Sequence, residues 1–221
     1  AFDVVAACPG WLYSLTVAEG MIASGASHRV LALGGDRVLS IVDRADRNTA
    51  VLFGDGAGAA VLVPATDNRG ILSTALGADG TLADLLYIPA GGSDQPMTQQ
   101  LAAEGKQYLK MAGREVFKVA VRRMAQACHQ ALGKAALRPD DIDLLVPHQA
   151  NLRIINATAG EAGVPLEKVM VNVDRYGNTS AGSIPLALVE AEREGRLKPG
   201  MVVLLVSFGA GFTWGAVVIR W

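Results

Sequence analysis

Apolar runs and helical patterns alternate along this chain and predict strands and helices in turn. Short apolar runs bounded by turn residues, which are typical of buried strands, cover residues 2–7, 29–34, 51–63, 71–76, 143–147, 169–172, 201–207 and 213–220. Apolar residues recur with helical spacing over residues 9–24, 111–136, 149–162 and 183–194. Strands that alternate with helices favour an α/β fold, in which helices cover the faces of a sheet.

One strand–helix unit occurs twice, with a different reactive residue at the same place in each copy. Asp3 opens a strand that ends before Cys8, and Asp143 opens a strand that ends before His148, five positions later in both cases. A second repeated unit of strand, glycine-rich turn and strand covers residues 51–63 and 203–219. Because open α/β sheets place their sites at the carboxyl ends of strands, the repeat predicts that the thiol and the imidazole meet.

The same repeat predicts how the chain is divided. Residues 1–66 are expected to be the remainder of an N-terminal half that carries Cys8, and residues 67–221 a C-terminal half that carries His148 and Asn178. A long stretch with its own helix precedes Asp143, whereas only two residues precede Asp3. By symmetry we expect about 70–100 further residues in front of the first half, judged by ordinary domain sizes.

Composition narrows the class of protein. Hydrophobic residues make up 51% of the 221 residues, which is ample for a core, and the net charge of −1 argues against a general nucleic-acid binder. No apolar run is long enough to span a bilayer. Two cysteines do not make a disulfide framework, so a reducing cytoplasm is the expected location. The cysteines and the three histidines are too scattered to predict a metal site.

Cys8 is the strongest candidate for a catalytic residue. A thiol at the N-terminus of a helix lies at the positive end of the helix dipole, which favours the nucleophilic thiolate. Taken alone, Cys8 fits a small buried core residue equally well. Cys128 lies on the apolar stripe of a predicted helix, and we interpret it as such a core residue.

His148 and Asn178 are weaker candidates when each is considered by itself. An isolated histidine at a strand end is more often a hydrogen-bonded structural residue, which is also how we interpret His28 and His129. Asn178 stands in a run of Gly, Asn, Thr and Ser residues that favours a turn. The three candidates gain weight only when a family resemblance joins them.

Five runs resemble the β-ketoacyl-acyl-carrier-protein synthase III family, the condensing enzymes that start type II fatty-acid synthesis. The most specific are residues 148–154 and the run that begins at Phe208, and the others are residues 6–10, 53–59 and 177–180. The resemblance covers the whole chain. It implies a thiolase-like α/β fold of two pseudo-duplicated halves in five layers, α-β-α-β-α, with the first half incomplete in this chain.

The resemblance also implies an activity, a decarboxylative Claisen condensation. Cys8, His148 and Asn178 form the implied catalytic triad, in which Cys8 accepts the acyl group of an acyl-CoA, with acetyl-CoA as the expected donor. His148 and Asn178 then stabilise the enolate formed when malonyl-acyl carrier protein loses carbon dioxide. The remaining implied positions are an oxyanion site at Ala210, a gate at Phe208, CoA or pantetheine contacts at Arg47, Phe117 and Asn151, and a carrier-protein surface at Lys118 and Arg153.

The same family implies no metal and no cofactor beyond the coenzyme A thioester, and a homodimer without nucleic-acid or membrane partners. Two alternatives stay open at this point. A related condensing enzyme of secondary metabolism would keep the triad and use a different starter, and a catalytically silent interaction subunit would need no triad. Pro9, Trp11, Asn48 and Arg114 depart from the usual residues of the family, which leaves the preference for the acyl donor open.

Overall fold

A computed structural model describes all 221 residues of the chain. Its elements follow one another as α1 (Gly10–Ala23), β1 (Val30–Asp36), β2 (Gly56–Leu62), β3 (Gly70–Ala78), β4 (Leu86–Tyr87), α2 (Gln99–Ala103), β5 (Lys110–Met111), α3 (Gly113–Lys134), β6 (Leu144–Pro147), α4 (Leu152–Ala162), α5 (Val173–Tyr176), α6 (Ser183–Arg193), β7 (Val202–Gly209) and β8 (Thr213–Arg220). The four helices predicted from the sequence are α1, α3, α4 and α6, and the predicted C-terminal hairpin is β7–β8. None of the helices is both long enough and apolar enough to cross a membrane.

Three sheets are formed. The largest has the order β3-β8-β7-β6, in which β6 runs parallel to β7 while β8 is antiparallel to both of its neighbours. β1 and β2 form a separate antiparallel pair, and β4 and β5 a short third one. The predicted boundary at residue 66 lies between β2 and β3, in the connection from one sheet to the next, and it stays a prediction of where two halves meet.

The large sheet lies between two layers of helices. One face packs against α3 and α4 in a cluster of 24 buried residues, and the other face packs against α1 and α6 in a cluster of 16. The β1–β2 pair covers the far side of α1 and α6. The layers therefore follow the order α-β-α-β, which is four of the five layers that the resemblance implies.

The burial of β7 on both faces explains why its sequence is almost entirely apolar. All eight of its residues are buried, as expected for a strand that is covered by helices on both faces. Leu204 and Val206 point into the cluster with α3 and α4, whereas Val203 and Leu205 point into the cluster with α1 and α6. The apolar run of residues 202–206 is therefore needed at the centre of this molecule.

The structure differs from the sequence prediction at the proposed repeat. Residues 51–63 were expected to form two strands around a turn, but only β2 forms, and it pairs with β1 instead of folding back. Residues 2–7 form no strand, because no neighbour supplies a ladder of hydrogen bonds, and only a single bridge forms over residues 169–172. The repeat that the structure shows is a helix followed by two antiparallel strands, α1-β1-β2 and α6-β7-β8.

Replacement of Leu204 by Ala tests the central position of β7. Leu204 is fully buried, so the Leu204→Ala variant should lower the free energy of unfolding by about 2–5 kcal/mol. Leu166→Ala is the matched control, because Leu166 is 56% exposed and its loss should change that free energy by less than about 0.5 kcal/mol. Urea unfolding of both variants measures the difference. A loss at Leu204 no larger than the loss at Leu166 would contradict the placement of β7.

Candidate active site

A cavity of about 1140 Å³ opens at the carboxyl ends of β6 and β7. Hydrophobic residues make up 20 of the 31 residues that line it. The lining includes Asp36 and nine of the site residues predicted from the sequence: Cys8, Phe117, Lys118, His148, Asn151, Arg153, Asn178, Phe208 and Ala210. The structure thus brings the thiol, the imidazole and the amide of the predicted triad to one cavity.

Cys8 lies two residues before α1, where the backbone is tightly packed against the end of β7. A Cβ atom added to Gly209 would lie 2.7 Å from the Cβ of Cys8 and 2.8 Å from its backbone nitrogen. Ala7 has a φ of +48°, in the left-handed region that residues other than glycine seldom adopt. Such strain is tolerated where the surrounding packing enforces it, and it often accompanies functional sites.

The environment of Cys8 keeps its thiol protonated at rest. Burial raises the pKa of Cys8 to about 11, and the negative charge of Asp36 acts in the same direction. The Ser180 hydroxyl, 3.6 Å from the sulfur, lowers this pKa in part, as do the N–H groups of Cys8 and Ala210. Desolvation is the largest of these causes, so the Cys8 pKa shifts upwards, opposite to the direction expected from the helix terminus.

His148 follows β6 and is buried, with 2% of its surface exposed. Its backbone N–H donates to the carbonyl of Val206, at 2.7 Å, which ties it to β7. Burial lowers the pKa of the imidazole to about 4, so the ring is neutral at neutral pH. Its Nδ1 atom lies 2.6 Å from the hydroxyl oxygen of Ser183.

Gln149 holds the backbone beside His148 in place. Its side-chain amide donates to the carbonyls of Pro147, at 2.8 Å, and Met170, at 3.1 Å. Its oxygen accepts from the N–H of Asn172, at 2.8 Å. Both polar atoms of the buried side chain therefore have hydrogen-bond partners, and the side chain connects the end of β6 to the segment that leads towards Asn178.

Asn178 is presented by a turn that pairs with the segment before β2. Its N–H donates to the carbonyl of Leu52, at 2.7 Å, and its carbonyl accepts from the N–H of Gly54, at 3.0 Å. These bonds explain why residues 51–55 do not form the predicted strand. The side-chain oxygen of Asn178 accepts from the N–H of Ser180, at 2.9 Å, so its NH₂ group is left to donate into the cavity.

Sequence reasoning missed two residues of this turn, Ser180 and Ser183. Ser180 contacts the sulfur of Cys8, and Ser183 contacts the ring of His148. Both lie in the run 177–183, which the sequence singled out around Asn178. Serine, threonine and asparagine all favour turns, so no pattern in the sequence distinguishes a hydroxyl that faces the site from one that only shapes the turn.

The oxyanion and gate positions also lie at the site. The N–H of Ala210 interacts with the sulfur of Cys8. Phe208 is 5% exposed, and its ring centroid lies 4.7 Å from that of Phe212 at an interplanar angle of 58°. Phe208 lines the cavity, and Phe212 supports its ring from the buried core.

The mouth of the cavity is basic. Lys118 and Arg153, both exposed, line it together with Arg114, while Asp36 is the one acidic residue in the lining. The guanidinium of Arg153 lies 5.4 Å from the ring centroid of Phe117, within the range of a cation–π contact. Three cations thus face any substrate that enters.

Asn151 and Arg47, two of the predicted binding residues, differ in their relation to the cavity. Asn151 lines the cavity, but its side-chain oxygen caps α4 by accepting from the N–H of Ile154, at 2.9 Å. Arg47 is exposed and does not line the cavity, whereas its neighbour Asn48 does. Asp46 fixes this turn because its carboxylate accepts from the N–H of Asn48, at 3.0 Å. No group of three or more metal-ligating side chains is present in the structure.

Two family descriptions match the sequence. Residues 2–80 match 3-oxoacyl-[acyl-carrier-protein (ACP)] synthase III, and residues 132–221 match the C-terminal part of the same family. Together the two matches include Cys8, His148 and Asn178.

Individual relatives agree with these matches. The β-ketoacyl-[acyl-carrier-protein] synthase III of Roseiflexus sp. (strain RS-1) is 55% identical over 221 residues, which are 100% of this chain and 67% of the relative. The corresponding protein of Symbiobacterium thermophilum is 53% identical over the same shares of the two chains.

Solved structures of relatives confirm the thiolase-like α/β fold. The crystal structure of 3-oxoacyl-[acyl-carrier-protein] synthase III from Aquifex aeolicus VF5 matches with a TM-score of 0.91 at 46% identity, covering 100% of this chain and 67% of that one. The Thermus thermophilus protein matches with a TM-score of 0.90 at 51% identity, covering 100% and 68%. This chain therefore belongs to the β-ketoacyl-[acyl-carrier-protein] synthase III family, the condensing acyltransferases that join an acyl-CoA to malonyl-acyl carrier protein at the start of fatty-acid synthesis.

Proposed function

We propose that Cys8 is the nucleophile of this condensation and that His148 and Asn178 donate hydrogen bonds to the enolate. The observation that carries the proposal is that one cavity joins the thiol, the neutral imidazole and the amide to a basic mouth. Acetyl-CoA is the proposed acyl donor and malonyl-acyl carrier protein the proposed acceptor.

In the first step, the sulfur of Cys8 attacks the carbonyl carbon of the acyl-CoA. The bond between the acyl carbon and the sulfur of coenzyme A breaks as the thioester to Cys8 forms. Cys8 loses its proton in this step, and coenzyme A leaves as a thiol that carries one. The N–H groups of Cys8 and Ala210 both face the sulfur. They are suited to bind the oxyanion that develops on the carbonyl oxygen during this transfer.

In the second step, malonyl-acyl carrier protein loses carbon dioxide, and negative charge moves to its thioester oxygen. The neutral ring of His148 and the NH₂ group of Asn178 can each donate a hydrogen bond to that oxygen. The enolate carbon then attacks the thioester carbon of acylated Cys8 and releases the Cys8 sulfur. A proton taken up from solvent restores the thiol, and the product is a 3-oxoacyl-acyl carrier protein.

Residues at the mouth are proposed to hold the two substrates. Phe117 and Asn151 suit the pantetheine arm that coenzyme A and the carrier protein share, because they line the passage to the thiol. Lys118 and Arg153 are exposed cations beside it, and they suit an acidic carrier protein. Arg47 lies outside the cavity, and we propose that it contacts the nucleotide end of coenzyme A.

The proposal includes a cytoplasmic location and a homodimer. A cytoplasmic location fits the finding that both cysteines are free thiols, because reducing compartments keep thiols unpaired. The homodimer rests on the family, in which a residue of one subunit completes the acyl pocket of the other.

Acylation of Cys8 tests the proposed function directly. Incubation of the protein with acetyl-CoA should add one acetyl group to its intact mass, and the Cys8→Ala variant should gain none. Cys128→Ala is the matched control and should be acetylated like the unchanged protein, because burial raises the pKa of Cys128 to about 12 and the residue lies outside the cavity. An acetyl group that remains in Cys8→Ala would overturn the assignment of the nucleophile.

The charge of Asp36 should raise the pH at which Cys8 becomes reactive. Burial is the largest cause of the raised Cys8 pKa, and Asp36 adds to it. An Asp36→Asn variant removes the charge, so the Cys8 pKa should fall. Iodoacetamide alkylation of Cys8 should therefore become faster at every pH below the midpoint, because a larger share of the thiol is ionised.

The pH profile of alkylation measures this shift in a Cys128→Ala background, where Cys8 is the one remaining thiol. Asp94→Asn is the matched control, because Asp94 is exposed and lies outside the cavity. Its midpoint should equal that of the parent. A midpoint for Asp36→Asn at or above the parent value would show that Asp36 does not act on Cys8.

A further inference from the structure

Ser183 is the first residue of α6, and its hydroxyl reaches the catalytic histidine. It is 2% exposed. Its oxygen lies 2.6 Å from Nδ1 of His148 and 3.4 Å from the backbone nitrogen of Gln149. Ser183 makes no other side-chain hydrogen bond in the structure, so these two contacts decide how its proton is used.

The direction of the bond between Ser183 and His148 follows from counting donors. The N–H of Gln149 can only donate, so the Ser183 oxygen accepts from it. The hydroxyl hydrogen then needs an acceptor, and Nδ1 of His148 is the acceptor within reach. If Nδ1 carried the proton instead, the Ser183 hydrogen would be buried without a partner, a situation that folded proteins avoid.

The neutral imidazole of His148 carries one N–H hydrogen, on either Nδ1 or Nε2. Its burial lowers the pKa to about 4, so a neutral ring with a hydrogen on one nitrogen is the form present at neutral pH. The first residue of a helix also lies at the positive end of the helix dipole, which disfavours a second proton on a nearby ring. Because Nδ1 accepts the hydrogen bond from Ser183, the ring hydrogen is on Nε2.

We infer that Ser183 is a positioning residue that fixes His148 as the neutral Nε2–H tautomer, the form able to donate a hydrogen bond into the cavity. Nε2 has no protein partner, and His148 lines the cavity. The inference deepens the proposed function and rests on it, because the enolate oxygen of the malonyl thioester is the acceptor of this Nε2–H bond. Without Ser183 the proton can move to Nδ1, and the cavity then faces an acceptor instead of a donor.

The tautomer can be observed directly without any substrate. The chain has three histidines, so long-range ¹H–¹⁵N correlation spectra of histidine-labelled protein show three rings, and a His148→Asn variant identifies the signals of His148. The unchanged protein should show the Nε2–H pattern for His148 across the neutral pH range. Ser183→Ala should show the Nδ1–H form or a mixture of the two forms, whereas Ser183→Thr, which keeps the hydroxyl, should restore the Nε2–H pattern.

Ser24→Ala is the matched control, since Ser24 is exposed and lies at the far end of α1. Its His148 signals should equal those of the unchanged protein. Two results would overturn the inference: an Nδ1–H pattern in the unchanged protein, or an unaltered Nε2–H pattern in Ser183→Ala.

Half-reactions connect the tautomer to the chemistry. Ser183→Ala should slow decarboxylation of malonyl-acyl carrier protein by about 10- to 100-fold, as expected for weakening one oxyanion donor, and should slow the acetylation of Cys8 much less. An equal loss in both half-reactions would indicate a general structural role and contradict the inference. If the tautomer responds as expected but the unchanged protein does not decarboxylate malonyl-acyl carrier protein, the proposed function fails while the role of Ser183 stands.

Discussion

The position of Cys8 depends on the absence of a side chain at the end of β7. Gly209 is where β7 meets the proposed nucleophile, and a single added methyl group would lie 2.7 Å from the Cβ of Cys8. β7 cannot shift to make room, because it is buried by helices on both faces. The same strand holds His148 through the carbonyl of Val206 and carries Phe208. One rigid strand therefore fixes three parts of the site relative to one another.

The second support of the site is the turn that leads into α6. It presents Asn178, brings the hydroxyl of Ser180 to Cys8 and brings that of Ser183 to His148. The beginnings of α1 and α6 meet here, since a Cβ on Gly10 would lie 3.7 Å from that of Ala181. Desolvation keeps both the thiol and the imidazole uncharged at rest. The proposed mechanism therefore works through hydrogen bonds that are already in place, and charge appears only during the reaction.

Sequence alone predicted the parts of the fold that have strong local signals. The amphipathic pattern of residues 111–136 correctly predicted α3, and the apolar runs near the C-terminus correctly predicted the β7–β8 hairpin. The layered fold was predicted from the family resemblance. Residues 2–7 and 51–55 were predicted as strands and are not, because an apolar run does not reveal whether a partner strand is present. The Phe53 segment binds the Asn178 turn instead, a contact between distant parts of the chain.

The candidate site was predicted in its residues but not in its electrostatics. Cys8, His148 and Asn178 do line one cavity, whereas the direction of the Cys8 pKa shift was predicted wrongly. Burial and the hydroxyls of Ser180 and Ser183 are properties of the packed molecule, which no spacing of residues along the chain records. Arg47 lies outside the cavity, in a turn that the carboxylate of Asp46 shapes, and its contact with coenzyme A stays a prediction.

The rate of Cys8 acetylation in a Gly209→Ala variant tests most directly whether the close contact with β7 sets the geometry of the site. Gly133→Ala is the matched control, since an added Cβ there meets no atom within 4 Å. The account predicts that Gly209→Ala remains folded but acetylates Cys8 at least about 100-fold more slowly, because a displacement near 1 Å is enough for such a loss. Acetylation of Gly209→Ala at the rate of Gly133→Ala would contradict it.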